Sequence, residues 1–259
     1  MEVVQLWPNS PLDNFNYLIT KGVDALVVDP FDFQFIKKEI EKRELNVIGI
    51  INTHSHWDHV KANLELQNLY NIPVIVNKKS LSVIPGATTG VSSGDIIFDD
   101  ERSWVEIIET PGHTDDHICL KIMKDKKVVS VLSGDTLFNA GVGNCKNGGN
   151  PEKLYQTISH YFHLLSDEVL IYPGHDYLIN NLEFTLSIES SNVSARKLLS
   201  DVKTEFKGRH CSKILNIGEE KGINTFFRLS NDKVRQHLKM DNSSDKEVFI
   251  KLRSMRDKW

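Results

Sequence analysis

Seven consecutive residues, Thr53-His54-Ser55-His56-Trp57-Asp58-His59, carry three imidazoles and a carboxylate directly after the apolar run Val47-Ile48-Gly49-Ile50-Ile51. Neutral imidazole and carboxylate are the usual donors to zinc and the harder transition metals, and donors on both sides of a sharp turn can serve two adjacent ions. The plainer alternative is a polar loop capping a strand, with Thr53 or Asp58 as the N-cap of a helix starting near Val60. Three further stretches repeat the arrangement. Trp104 to Thr110 ends in Pro111-Gly112-His113-Thr114, Val128 to Leu132 in Ser133-Gly134-Asp135-Thr136, and Val169 to Tyr172 in Pro173-Gly174-His175-Asp176. By itself His113 reads as a loop histidine. Together the four stretches describe apolar strands whose ends present His or Asp, where an α/β scaffold displays its chemistry, and glycine lets the backbone come close to an ion.

The elements that must hold these side chains follow from pattern. Val3 to Leu6, Phe15 to Thr20 and Ala25 to Asp29 are short strand-like runs separated by Asn9-Ser10-Pro11 and Lys21-Gly22, which predicts a meander. Phe33 to Arg43 has the stripe of a helix lying on a sheet, Val47 to Ile51 is a buried strand, residues 60 to 70 are helical and Val74 to Val76 returns to strand. Residues 86 to 94 read as a Gly- and Ser-rich loop before the strands Asp95 to Phe98 and Trp104 to Thr110. The 259 residues suffice for a sizeable core, and 40% apolar with 25% charged residues excludes disorder. No apolar run reaches the roughly 20 residues of a bilayer span. A net charge of -4 with interspersed signs lacks the basic footprint of a nucleic-acid or anionic-membrane binder. Three widely spaced cysteines, Cys119, Cys145 and Cys211, form neither a disulfide framework nor a CxxC pair, and Met1 to Leu6 is no secretory signal; a cytoplasmic location is expected.

THSHWDH, PGHT, SGDT and PGHD, in that order, resemble the metallo-β-lactamase superfamily over residues 1 to about 178. The resemblance implies an α+β fold, a four-layer αββα sandwich, here followed by a helical domain at residues 179 to 259. It implies that His54, His56 and His113 hold one metal, that Asp58, His59 and His175 hold a second, and that Asp135 bridges them. His117, His160, His163, His210 and His237 match no motif position and are read as surface or packing residues. Two divalent ions are implied, zinc first, with iron or manganese also suited to ligands without thiolate. Within the superfamily, SGDTLF at residues 133 to 138 and YPGHDYLINNLEF at residues 172 to 184 are similar to the glyoxalase II, or hydroxyacylglutathione hydrolase, family. The tail is similar as well: helices at Leu182 to Ser190 and Asn192 to Phe206, a linker with Gly218 and Gly222, Asn224-Thr225-Phe226 in place of the family's NPF, and a helix from Val248 to Trp259.

The resemblance implies a monomer hydrolysing a small-molecule thioester, S-D-lactoylglutathione, to D-lactate and glutathione in methylglyoxal detoxification. Asp58 would orient the attacking water as well as ligate, while Tyr177, Arg253 and Arg256 would contact the thiol carrier; as plain chemistry the two arginines are a charged helix face. One stretch departs from the family. Asn144 stands where a Lys or Arg is usual and Lys146 where a Tyr is usual, so a positive charge has moved two residues and thioesters of another small thiol become an alternative. A persulfide dioxygenase with a single iron shares the fold, but the full second ligand set and the helical tail count against it. A binding module would be expected to have lost ligands.

Overall fold

The computed structural model describes residues 1 to 206 and 213 to 259, so His210 and Cys211 lie outside the described residues. By compactness the chain divides into two units, residues 1 to 110 with 116 to 134, and residues 111 to 115 with 135 to 259. These bounds differ from the division at residue 178 expected from the sequence, because residues 135 to 178 cluster with the helical tail.

The first unit opens with the expected meander, β1 (Glu2–Leu6), β2 (Asn16–Lys21) and β3 (Asp24–Val28), paired antiparallel. α1 (Phe33–Lys42) follows, its start fixed by Asp32, which accepts from the Phe35 N–H at 2.7 Å. β4 (Asn46–Ile51), β5 (Val74–Asn77) and β6 (Ala87–Val91) then add parallel to β3 in turn. Strand alternation sorts this sheet's residues. Leu18, Val27, Ile50, Val74 and Val76 on one face pack with Ile36 and Ile40 of α1 and with Leu66 of α3 (Asn63–Tyr70). Ile19, Leu26, Val28 and Ile51 on the other face are buried too, so the sheet is covered on both sides. The same unit holds an antiparallel run, β7 (Ile96–Asp99), β8 (Ser103–Glu109), β9 (Ile118–Lys124) and β10 (Lys127–Gly134).

Several sequence readings are corrected here. The helix expected over residues 60 to 70 is two, α2 (Trp57–Val60) and α3, and neither Thr53 nor Asp58 caps it: the cap is His56, without a side-chain bond. Asp58 sits inside α2, where its carboxylate is used otherwise. Residues 87 to 91, read as loop, form strand β6, because a run of small residues fits an edge strand crowded by Leu81, which a Cβ on Gly90 would meet at 2.7 Å.

The second unit begins with a tight hairpin, β11 (Leu137–Phe138) and β12 (Gly141–Val142). α4 (Pro151–His160) starts with Asn150 as cap and proline in its first turn. β13 (Leu170–Pro173) pairs antiparallel with β14 (Leu215–Asn216), and α5 (Leu178–Ile188) packs on α6 (Val193–Phe206). The stretch read as a Gly218 to Gly222 linker is a helix, α7 (Ile217–Ile223). Its signal was the capping box formed by Asn216 and Glu219, which outweighs two glycines in a short helix. α8 (Asp232–Leu238) precedes α9 (Asp245–Arg256), which opens on a second capping box, Ser244 with Glu247, and buries Val248, Phe249, Leu252 and Arg253.

Glu220 of α7 is fully buried and holds the hairpin turn. Its carboxylate accepts from the Ala140 N–H at 2.9 and 3.1 Å and from Asn224 Nδ2 at 2.7 Å. Ala140 needs that support, because its φ of 57° lies in the left-handed region. Burial pushes the Glu220 carboxyl up to about 8 from 4.5, against the pull of the two donors. Between those values the folded chain binds a proton that the unfolded chain has released. Stability from this group is therefore greatest below pH 4.5 and is lost as pH rises toward 8. Compared with a non-titrating Glu220→Gln chain, the parent should lose stability on the order of 1 kcal/mol per pH unit across that window. Melting temperatures of both chains at several pH values check this; a constant difference between them would contradict it.

Candidate metal centre and adjoining cavity

A histidine can give a lone pair to a metal only from a nitrogen that carries no proton, so the partner of the other nitrogen decides which atom is available. In the first unit, His59 Nδ1 lies 2.9 Å from Asp29 Oδ2; a carboxylate accepts, so the proton is on Nδ1 and Nε2 is left as the donor atom. Thr53 Oγ1 donates to Asp29 Oδ2 at 2.6 Å, and its remaining lone pairs accept from His54 Nδ1 at 3.0 Å, so His54 also presents Nε2. That Nε2 faces His56 Nδ1 at 3.0 Å, close to the roughly 3.3 Å separating two nitrogens on one tetrahedral zinc. Asp58, 6% exposed, accepts from Asn14 Nδ2 at 2.8 Å through Oδ2, which also lies 3.4 Å from His59 Nε2. His117 packs its ring on His54 at 5.1 Å and lies 2.9 Å from Thr110 Oγ1, a packing role. Gly134, with φ of +47°, passes so close that a Cβ would meet His117 Nε2 at 2.7 Å and Thr53 Oγ1 at 2.8 Å.

The second unit brings His113, Asp135 and His175 together. Asp135 Oδ2 lies 3.4 Å from His113 Nε2 and 3.3 Å from His175 Nε2, so a single carboxylate oxygen faces both imidazoles. His113 Nδ1 donates to the Asn144 carbonyl at 2.7 Å, which puts the ring proton on Nδ1 rather than Nε2. His175 Nδ1 is 3.3 Å from the Tyr177 hydroxyl, and the two rings stack at 4.9 Å. The fit to divalent ions is therefore good in each unit taken separately: the donors are buried or half-buried imidazoles and carboxylates, and the outward nitrogens of His54, His59, His113 and His175 are each engaged.

Tyr177 also lines a cavity of about 320 Å³ within the second unit, together with Phe138, Asn144, Lys146, Arg253 and Arg256. Asn180, Asn181, Asp257 and Trp259 complete most of its wall. Lys146 Nζ donates to the Asp257 carbonyl at 3.0 Å, and Arg256 donates to Asn181 Oδ1 at 3.1 and 3.2 Å. Arg253 and Arg256 are not a solvated helix face. Arg253 is 4% exposed, and burial pulls both guanidinium groups below their ordinary range. Cys145, between two lining residues, offers no thiolate at neutral pH, because burial pushes its thiol up to about 11.

Sequence reasoning passed over Asn14, Asp29 and the Asn144 carbonyl. Asp29 had a signal: an acidic residue at a strand end followed by Pro30, with φ of 51°, a left-handed conformation Asp tolerates better than most residues. Asp29→Ala should free the His59 tautomer and weaken metal binding by ~10- to 100-fold, with Asp29→Asn intermediate. Competition against a chromogenic chelator measures it, and unchanged affinity in Asp29→Ala would remove Asp29 from the site.

The chain is similar to known proteins along its whole length. Residues 10–175 match the model of the metallo-beta-lactamase superfamily, and residues 176–259 match that of the hydroxyacylglutathione hydrolase C-terminus. The hydroxyacylglutathione hydrolases of Polaromonas sp. and Nitrosococcus oceani are each 36% identical over 267 aligned residues, covering 100% of both chains. The cytoplasmic hydroxyacylglutathione hydrolase of Arabidopsis thaliana is 30% identical, with 95% of each chain covered. Among solved structures, ETHE1 from Myxococcus xanthus superposes with a TM-score of 0.66 at 24% identity, covering 99% of this chain and 98% of that one. TTHA1623 in a di-iron-bound form gives 0.55 at 24% identity, covering 68% and 92%. These structures share the fold expected from the sequence, and with the full-length relatives they place the chain in the hydroxyacylglutathione hydrolase family of the metallo-β-lactamase superfamily.

Proposed function

We propose that the chain hydrolyses S-D-lactoylglutathione and related 2-hydroxyacylglutathiones to the hydroxy acid and glutathione, with two divalent ions, zinc first. The observation that carries the reading lies inside the second unit. Tyr177 stacks on His175 and lines a cavity with three cationic side chains, Lys146, Arg253 and Arg256, so the ligands adjoin a site suited to a thiol carrier with carboxylates. The motif order supports His54, His56 and His113 for one ion, Asp58, His59 and His175 for the other, and Asp135 for both. In a single-iron dioxygenase the orientation of Asp58 by Asn14 and of His59 by Asp29 would serve no ligand.

Two bound ions supply Lewis acidity and a water acidified to near-neutral pKa. The protein's part is to orient and exclude. Asp58, fixed at Oδ2 by Asn14, directs the attacking water toward the carbonyl carbon of the thioester. Phe138, packed edge-on against His175 and Tyr177, keeps the reacting end of the cavity dry. The thiol leaves as thiolate with a pKa near ~8.5, so no protein acid has to protonate it. Arg256, presented by Asn181, and Lys146 would meet carboxylates of the carrier, while Tyr177 and the Asn144 side chain would line its path. Lys146 ends in a flexible ammonium rather than a rigid donor, and its contact is accordingly less directional.

Two measurements test this. Asp135→Ala should lower bound metal per chain and thioester hydrolysis together, read by elemental analysis and turnover on the same preparation; two ions retained with normal turnover would overturn the bridging assignment. With one acyl group carried on glutathione, on glutathione lacking its glycine, and on an unrelated small thiol, kcat/KM should rank glutathione first but by a modest margin. Lys146→Ala should then weaken the glutathione thioester selectively. A lead of several orders of magnitude that Lys146→Ala leaves untouched would refute the role given to Lys146.

A further inference from the structure

The guanidinium of Arg253 lines the cavity, and both its Nη atoms donate inside the protein, while its buried Nε finds no acceptor among the described residues. Nη1 donates to the carbonyls of Val142 at 2.7 Å and Gly143 at 3.0 Å, and Nη2 donates to Asp257 Oδ1 at 3.0 Å. A planar fork held at three acceptors and 4% exposed fixes the backbone it grips. That backbone is the stretch lying against the ligands. The next carbonyl along, that of Asn144, takes the proton of His113 Nδ1 at 2.7 Å. Gly143 passes so near that a Cβ would lie 1.9 Å from the Asp135 carbonyl and 2.9 Å from His113 Nδ1. A shift of a few tenths of an ångström at residues 142 to 144 therefore turns the His113 ring or displaces Asp135, the two groups whose donor atoms face each other at 3.4 Å.

We infer that Arg253 is a positioning residue for the metal centre, holding the His113 ligand in its tautomer and orientation through the 142 to 144 backbone. Its neighbour one turn on behaves differently: among the described residues Arg256 donates to the Asn181 side chain and rests near the Phe184 ring at 5.9 Å, with no bond to the 142 to 144 backbone. The two arginines of α9 thus separate, one serving the metal and one the substrate. The inference rests on the metal-centre reading above but not on the identity of the thioester.

The test uses zinc alone as probe, added to the metal-stripped full chain in competition with a chromogenic chelator, with circular dichroism as the check on folding. Arg253→Ala should weaken at least one zinc by ~10-fold or more, Arg253→Lys by less, and Arg256→Ala not at all. Gly143→Ala, which presses on the same two groups from the loop side, should lose zinc affinity with Arg253 intact. In steady-state kinetics Arg253→Ala should lower kcat more than it raises KM, and Arg256→Ala the reverse. A folded Arg253→Ala that binds zinc like the parent and only raises KM overturns the inference. Should Arg253→Ala fail to fold, the decision passes to Arg253→Lys, where parental zinc affinity overturns it equally. A parent chain that binds zinc but cleaves no thioester would sink the proposed function and leave this result standing.

Discussion

The constraint on which the structure depends is the placement of protons on buried imidazoles. Five imidazoles stand at the proposed ligand positions, and one whose second nitrogen is unfixed would sample tautomers and ring flips, each wrong one removing a donor atom. Asp29 settles two of the rings, His59 directly and His54 through Thr53, and it can do so because of sheet topology. β3 and β4 run parallel with Val28 opposite Ile51, so the residues leaving both strands emerge at the same edge. The Asp29 N–H bonds the Ile51 carbonyl at 3.1 Å, and the Asp29 carboxylate then meets the Thr53 N–H at 2.7 Å. An antiparallel pair would have sent one of these ends to the opposite edge.

The second unit meets the same demand with backbone rather than a carboxylate, and backbone in a turn must itself be held. The β11–β12 hairpin is gripped from three helices: Glu220 of α7 at Ala140, Asn181 of α5 at the Asn139 carbonyl at 2.9 Å, and Arg253 of α9 at Val142 and Gly143. Burying a carboxyl group and a guanidinium is costly, and hydrophobic replacements would stabilise the fold as well or better. Polar clamps fix direction and distance, which apolar contacts do not. The depressed guanidinium of Arg253 and the raised carboxyl of Glu220 are the electrostatic signature of that choice.

How far the sequence could be read follows from where each interaction lies along it. The clustered His and Asp residues were legible because four strand ends repeat one local pattern, and the strands because alternation and apolar runs are local too. Asp29 was harder to read, since its partners lie 24 and 30 residues away and its one local signal, an acidic residue before Pro30 at a strand end, also fits a turn. Asn144 was noticed for its side chain, while what it offers His113 is a carbonyl that every residue has. Arg253 was legible as a cation on a helix, but its burial among carbonyls 110 and 111 residues earlier was not. Glycines hid α7, and its capping box revealed it only once the fold had placed Ile217 and Ile223 inward.

These separations bear on how the loop at residues 144 to 146 can vary without harm to the centre. Position 144 reaches His113 through its backbone and the cavity through its side chain, two functions on different atoms. Replacing a basic residue by asparagine there alters what the cavity presents to a carrier and leaves the carbonyl that orients His113 in place. Asn144 Oδ1 even caps the turn by accepting from the Lys146 N–H at 3.0 Å, a bond no Lys or Arg side chain could accept. The charge displaced to Lys146 returns to the cavity rim by bonding the Asp257 carbonyl just past the end of α9. Recognition can therefore drift in this loop while the Asn144 carbonyl and the Arg253 clamp on the 142 to 143 backbone stay in place, so the side chains that depart from the family pattern are not the atoms that hold His113.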